Sequence, residues 1–242
     1  MDLREKVVII SGASSGIGLA TARRLAAEGA RVVLSARSAE KLQELASEIE
    51  ENDGSALVVP ADFRREADID RVFDEAVRAY GRVDVLINNA GRGVYDLIEH
   101  GKPEDWRMML ELNLFGLIYA TQRAIRVMKP QKSGHILHVS SVGGRYSFPG
   151  WAVYNATKWG VNGFSDAVRK EVQADNIRVT LIEPGAVDTN WGENIPKEWE
   201  QMRGKVKALE SEDIAEAILY ALSQPEHVSV NEVLVRPTQQ ER

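Results

Sequence analysis

Apolar positions along the chain follow two alternating rhythms: short continuous β-branched runs, and longer stretches in which they recur every three or four residues. The runs KVVIIS (6–11), RVVLSA (31–36), ALVVP (56–60), VDVLI (83–87), HILHVS (135–140), RVTLIE (178–183) and NEVLVRP (231–237) predict seven strands. Between them the helical rhythm predicts GIGLATARRLAAEG, ended by Gly29, and SAEKLQELASEIEENDG, with Ser38 as N-cap and Gly54 as stop. It also predicts a helix before AYG (79–81), a long helix from about Glu104 to Met128, the helix carrying Tyr154, and SEDIAEAILYALSQ. Strand and helix alternating in this way is the signature of repeated βαβ units. The expected fold is α/β: a Rossmann-type doubly wound parallel sheet of seven strands, with right-handed crossovers placing helices on both faces.

No repeat, low-complexity tract or linker divides the chain, so residues 1–242 are expected to form a single domain. An irregular stretch follows Pro184, and 188–209 has the length and polarity of a substrate lid. In such sheets ligands bind outside the carboxyl ends of the strands, so the chemistry is sought in the loops after strands.

Composition narrows the function classes. The net charge is −6, from 30 basic and 36 acidic residues with no basic block, which makes nucleic acid and anionic membranes poor partners. The absence of cysteine removes disulfides, thiolate nucleophiles and thiolate metal sites. His135 and His138 share a strand at a spacing that points them to opposite faces, so they cannot chelate one metal, and none is expected. The opening MDLREKVVII puts four charges before a four-residue apolar run, and no apolar run approaches the ~18 residues of a membrane span. The expectation is a soluble cytoplasmic protein.

The loop after the first strand reads SGASSGIG, with Gly12, Gly16 and Gly18 running into a helix and Ser14, Ser15 and Ile17 between them. Glycines let the backbone turn tightly and approach a ligand, and free amides at a helix N-terminus favour anionic oxygens such as a dinucleotide pyrophosphate. The spacing is G-x-x-x-G-x-G, and the Lys-Ser/Thr pair of a P-loop is missing. At the end of the second strand, Ala36 offers no carboxylate to an adenosine ribose, while Arg37 offers a guanidinium to a 2′-phosphate; this favours NADP over NAD.

Tyr154 and Lys158 stand four residues apart, neighbours on one helix face. A phenol near its ordinary pKa of ~10 is a poor acid or base at neutral pH, and an adjacent ammonium lowers that pKa. Ser141, thirteen residues before Tyr154, ends a strand and can converge with it at the carboxyl end of the sheet.

These pieces together resemble the short-chain dehydrogenase/reductase family over nearly the whole chain. They are SGASSGIG, Asp62 in AD, NNAG at 88–91, LELN ending at Asn113, SS at 140 and 141, YNATK, and PG at 184 and 185 with Thr189 following. Ser11 stands where the family usually has Thr. The resemblance implies Tyr154 as general acid/base and Lys158 as the group that lowers its pKa and holds the nicotinamide ribose. It implies Ser141 as the residue that polarises the substrate carbonyl and Asn113 as support for a water linking Lys158 to solvent. Asp62 then lies beside the adenine, Asn89, Ala90 and Gly91 line the cofactor, and Pro184, Gly185, Val187 and Thr189 flank the nicotinamide.

The substrate side is expected in three segments, where Ser141 and Val142 are joined by Tyr146, Phe148, Trp151, Trp191 and Trp199 as an aromatic surround. Arg92 and Arg145 are candidates for a substrate carboxylate. The implied activity is an NADP(H)-dependent carbonyl reductase or alcohol dehydrogenase acting on a small molecule. The ending VNEVLVRPTQQ also resembles members that oxidise small hydroxy amino acids. An NADP-binding sensor without turnover needs none of Tyr154, Lys158, Ser141 and Asn113, and a methyltransferase is disfavoured by Arg37. By resemblance the protein forms a homodimer through the long helix and the Tyr154 helix, or a homotetramer through the final strand as well.

Overall fold

The computed structural model describes residues 2–189, 191–197 and 206–240. Seven of the described strands form one parallel sheet in the order β3-β2-β1-β4-β6-β7-β9. They are β1 Val7–Ser11, β2 Arg31–Ser35, β3 Ser55–Val58, β4 Val85–Asn88, β6 Gly134–Val139, β7 Ile177–Pro184 and β9 Glu232–Val235. Each corresponds to one of the seven β-branched runs. The strands β1, β4, β6 and β7 are buried at every residue, and β9 alternates exposed with half-buried positions, as an edge strand should. The two remaining strands, β5 Gly93–Val94 and β8 Gly192–Glu193, pair with each other away from the main sheet.

Period-two alternation in the buried strands splits the core. Val8 and Ile10 pack with α1 (Gly16–Ala27), α2 (Ala39–Glu51) and α7 (Ser211–Ser223) on one face. Val7 and Ile9 pack with α3 (Glu66–Tyr80), α5 (Gly116–Gln131) and α6 (Ala152–Val172) on the other. The chain builds outward from β1 to β3, then returns to start β4 on β1's other side. The loops after β1 and β4 therefore flank a topological switch point, where a crevice opens.

Two helix boundaries differ from the sequence expectation. The left-handed residue that ends α2 is Asp53 (φ 60), while Gly54 is needed because a Cβ there would meet Ile49 Cγ2 at 2.6 Å. The long helix begins one residue early, with Pro103 in its first turn, and is interrupted. Between α4 (Pro103–Leu110) and α5 it widens into a π turn, Glu111–Phe115, centred on Asn113. Single π turns favour functional positions, because the extra residue re-aims side chains. No helix among the described residues is long and apolar enough to cross a membrane.

Candidate active site

The carboxyl ends of β1, β2, β4, β6 and β7 surround a cleft of about 890 Å³. One wall is the loop after β1. Gly12 (φ +70) and Gly16 (φ +53) adopt conformations that L side chains rarely take, and a Cβ on Gly12 would lie 2.9 Å from Asn89 Nδ2 and 3.0 Å from Ala90 Cα. Ser11 fastens this loop to the one after β4: its Oγ accepts hydrogen bonds from the Asn89 and Ala90 amides, both at 3.0 Å, and donates to Ile87 O at 3.3 Å. The hydroxyl shared with Thr is thus the part that works here. The N-cap Ser15 makes no side-chain cap bond, and Ser14, Ser15, Gly16 and Ile17 border the cleft. This helix N-terminus can hold an anionic oxygen. Gly18 does not border the cleft; a Cβ there would collide with the Gly12 carbonyl, so its part is to bring α1 close to the turn.

Beyond this loop the cleft is cationic. Arg37 borders it at the end of β2, joined by Lys41 in the first turn of α2 and by Arg64, two cations that sequence reasoning missed. Lys41 follows Ser38 within one helical turn, which was the available signal. Asp62 lies opposite and accepts from Arg64 Nε at 3.0 Å on both oxygens. Those hydrogen bonds, with smaller help from Arg37, hold its carboxyl below the ordinary range.

At the other end stand Tyr154 and Lys158, one helical turn apart on α6, both buried. Ser141, at the turn after β6, accepts from the Gly143 amide at 3.0 Å, and a Cβ on Gly143 would lie 3.4 Å from its Oγ and 3.2 Å from Tyr154 Cε1, so the two side chains are neighbours. Lys158 Nζ donates to Val139 O at 2.9 Å and lies 5.7 Å from the Tyr154 ring centre. The expected lowering of the phenol's pKa is not what this arrangement produces. Burial pushes Tyr154 up to about 12, against the smaller opposing effect of Ser141, and pushes Lys158 down to about 8. In so dry a pocket the neutral form of each group is favoured.

Asn113 is buried and does not border the cleft. From the π turn its Oδ1 accepts from the Arg92 amide at 2.9 Å, while Nδ2 donates to Arg92 O at 2.8 Å and to Thr157 Oγ1 at 3.2 Å. It clamps the loop after β4 onto the helix carrying Tyr154, with Gly91 of that loop lying between Asn113 and Lys158. Asn89, Ala90, Gly91, Pro184, Gly185, Val187 and Thr189 all border the cleft.

Trp191 covers the Tyr154 end of the cleft. Its ring centroid lies 4.9 Å from that of Tyr154 and 5.0 Å from that of Trp151. The pairing of β8 with β5 holds it there, through Gly93 N to Trp191 O at 3.1 Å and Tyr95 N to Glu193 O at 2.9 Å. Arg92 and Glu193 form an ion pair across the same two segments. Three expected substrate contacts are not at the cleft surface: Trp151 packs behind Trp191, Val142 is buried in the turn after Ser141, and Tyr146 lies outside the lining. Met108 and Leu112, missed in the sequence, line it instead. Arg145 is committed to Glu183 and Glu232 and so is not free for a substrate carboxylate. Trp199 and the middle of the 188–209 segment lie outside the described residues. His135 and His138 are both buried; His135 bonds Thr180, and His138 bonds Thr121 and Ser165.

Comparison with known proteins agrees with this geometry. The model of the short chain dehydrogenase family matches residues 6–200. An uncharacterized oxidoreductase of Listeria monocytogenes serovar 1/2a is 39% identical over 246 residues, covering 99% of each chain. Among solved structures, an alcohol dehydrogenase from the archaeon Thermococcus sibiricus complexed with 5-hydroxy-NADP is 30% identical with a TM-score of 0.88, covering 99% of each chain. The closed form of a serine dehydrogenase complexed with NADP+ is 30% identical with a TM-score of 0.89, covering 98% of this chain and 96% of the other. With its seven-stranded parallel sheet, glycine loop and Ser-Tyr-Lys convergence, the chain belongs to the short-chain dehydrogenase family of oxidoreductases.

Proposed function

We propose that this protein transfers hydride between NADP(H) and a small ketone or aldehyde and its alcohol, with Tyr154 moving the proton on oxygen. The observation that carries the reading is the proximity of Ser141 to Tyr154, one helical turn from Lys158, in a cleft with a glycine cradle and a cationic rim. The cradle fits a dinucleotide: Gly12 and Gly16 turn through left-handed conformations that bring the α1 N-terminus to the cleft, where the Ser15 side chain caps none of its amides. When bound, NADP(H) supplies the hydride chemistry.

The chain's own residues divide the remaining tasks. Amides at the α1 N-terminus take the pyrophosphate, and Arg37 with Lys41 takes the 2′-phosphate, which NAD lacks. Ser141 donates to the substrate oxygen and holds it against the Tyr154 hydroxyl. A phenol raised to about 12 keeps its proton until negative charge develops on that oxygen, then delivers it. Lys158 stabilises the phenolate that remains, and Asn113 keeps both walls in register. Trp191, held over Tyr154 by the β5–β8 ladder, excludes water from the phenol.

Both enzyme neighbours fit the fold equally well, so likeness does not choose between simple alcohols and hydroxy amino acids. Arg92 and Glu193 at the cleft neutralise each other, and a zwitterionic substrate would have to exchange into that half-exposed pair, an exchange that keeps the second class in the test. We also read the exposed Leu110, Phe115 and Trp159, at 44%, 45% and 52% exposure, as a dimer face, and Leu234 with Tyr220 as a second contact in a tetramer. A cytoplasmic location accompanies this reading.

The test is oxidation of NADPH against a panel of aldehydes, ketones, keto esters and keto acids, with alcohols and hydroxy amino acids in the reverse direction. Turnover that falls roughly 10²–10⁴-fold in Tyr154→Phe, with NADPH binding retained, supports the reading. Binding without turnover across the panel favours an NADP sensor, and undiminished turnover by Tyr154→Phe overturns the assigned acid.

A further inference from the structure

Behind the catalytic serine lies a buried carboxylate that the proposed reaction does not use. Glu183, next to last in β7, is completely buried. Burying a charge is costly unless every lone pair is matched, and here the matching is dense. Arg145 Nε donates to both carboxylate oxygens at 2.8 Å, and Arg145 Nη2 lies 2.6 Å from Oε2. Asn162 Nδ2 donates to Oε1 at 2.8 Å. Arg145 reaches on to Glu232 of the edge strand β9.

The partners of Glu183 belong to the two elements that carry the catalytic groups. Arg145 caps the short 3₁₀ turn, Val142–Gly144, that begins at Ser141. Asn162 lies one turn beyond Lys158 on the same face of α6. Its amide also donates to Gly144 O at 3.1 Å, and its Oδ1 accepts from Ser140 Oγ at 2.6 Å. The space is closed to side chains: a Cβ on Gly144 would lie 2.7 Å from Asn162 Oδ1 and 2.9 Å from Ser140 Oγ. The residues that follow Glu183, Pro184 and Gly185, border the cleft.

We propose that Glu183 is a positioning residue that acts through Arg145 and Asn162 to hold the Ser141 turn at a fixed distance from Tyr154. It touches neither substrate nor cofactor. The proposal rests on the reductase reading above, since it assigns Glu183 a part in placing that reading's serine.

The test compares Glu183→Gln in wild-type and Ser141→Ala backgrounds. An amide at 183 presents a donor where both neighbours already donate, so one link must break. Misplacing Ser141 by a fraction of an ångström should lower kcat by roughly tenfold to a hundredfold. The dissociation constant for NADPH should stay within about twofold, because the Glu183 side chain lies beneath the cleft and does not line it. In the Ser141→Ala background the same substitution should have little further effect on residual kcat, an interdependence that general destabilisation does not produce. If Glu183→Gln does not fold, Asn162→Ala answers the same question while leaving the Arg145–Glu183 pair intact. Unchanged kcat in the folded variant, or an equal loss in both backgrounds, overturns the proposal. A wild-type protein that turns over no substrate instead overturns the reductase reading on which it rests.

Discussion

The indole of Trp191 lies over the ring of Tyr154, centroids 4.9 Å apart and planes tilted by 38°. Gly93 makes this possible, because any Cβ on it would fall within the indole. Trp191 therefore sets the height of the chamber above the phenol. Trp191→Ala should raise kcat/KM for bulky aryl ketones relative to small aliphatic ones, by roughly tenfold, the scale of a few buried methylenes. Gly93→Val should act in the same direction by displacing the ring. The two variants are to be profiled on one ketone series, and an unchanged preference in both would remove Trp191 from the specificity assignment.

Arg37 is exposed, so its value lies in what it meets in the ligand. A phosphate gives it a charge-assisted bidentate partner, and Lys41 stands on the same rim. Arg37→Ala should raise the KM for NADPH roughly tenfold to a hundredfold while leaving that for NADH nearly unchanged, with a further loss in the double variant with Lys41→Ala. Initial rates with both cofactors decide it. Equal effects on NADPH and NADH would place the 2′-phosphate elsewhere.

Gly18 separates the packing role of a glycine from its ligand role, since it does not border the cleft. A methyl group there would strike the Gly12 carbonyl, and α1 would have to move away from the turn. Gly18→Ala should cost about 1–3 kcal/mol of stability and weaken NADPH binding in parallel, because the same displacement withdraws the α1 amides. Urea unfolding and cofactor titration together test it. A stable variant with normal affinity would mean that the turn relaxes freely.

The sheet was legible because strands buried on both faces carry short apolar, β-branched runs, as VVII in β1 does, whereas the helices show their faces periodically. The Ser-Tyr-Lys convergence was legible from helical spacing and from strand ends. What escaped depends on contacts between segments far apart in sequence. The π turn at Asn113 leaves no mark on the apolar rhythm of the long helix. Gly93–Val94 and Gly192–Glu193 are too short to show any period, so the ladder that carries Trp191 was invisible. Arg145 reads as an exposed loop cation until Glu183, thirty-eight residues on, is seen beneath it. The Tyr154 pKa was anticipated from its charged neighbour alone, while burial, which only the fold reveals, acts more strongly in the opposite direction.

Burial of this pair has a consequence for stability as a function of pH. Lys158 has a pKa of about 8 in the fold against its ordinary value of 10.5, so between those values the unfolded chain binds a proton that the folded protein does not. Unfolding free energy therefore rises with pH across that window, as the cost of a buried ammonium is relieved. Tyr154 has the opposite sign. Raised from 10.0 to about 12, it retains in the fold a proton that the unfolded chain has lost, so stability falls as pH passes from about 10 towards 12. Lys158→Met deletes the first effect and leaves the second. The variant should be more stable than the wild type by its largest margin below about pH 8, and that margin should shrink as pH climbs towards 10.5. Parallel urea denaturation of the two proteins across this range measures the difference directly, and other titrating groups cancel in it. A margin independent of pH would show that Lys158 has an ordinary pKa in the folded protein, and the dry pocket inferred around Tyr154 would then have to admit water.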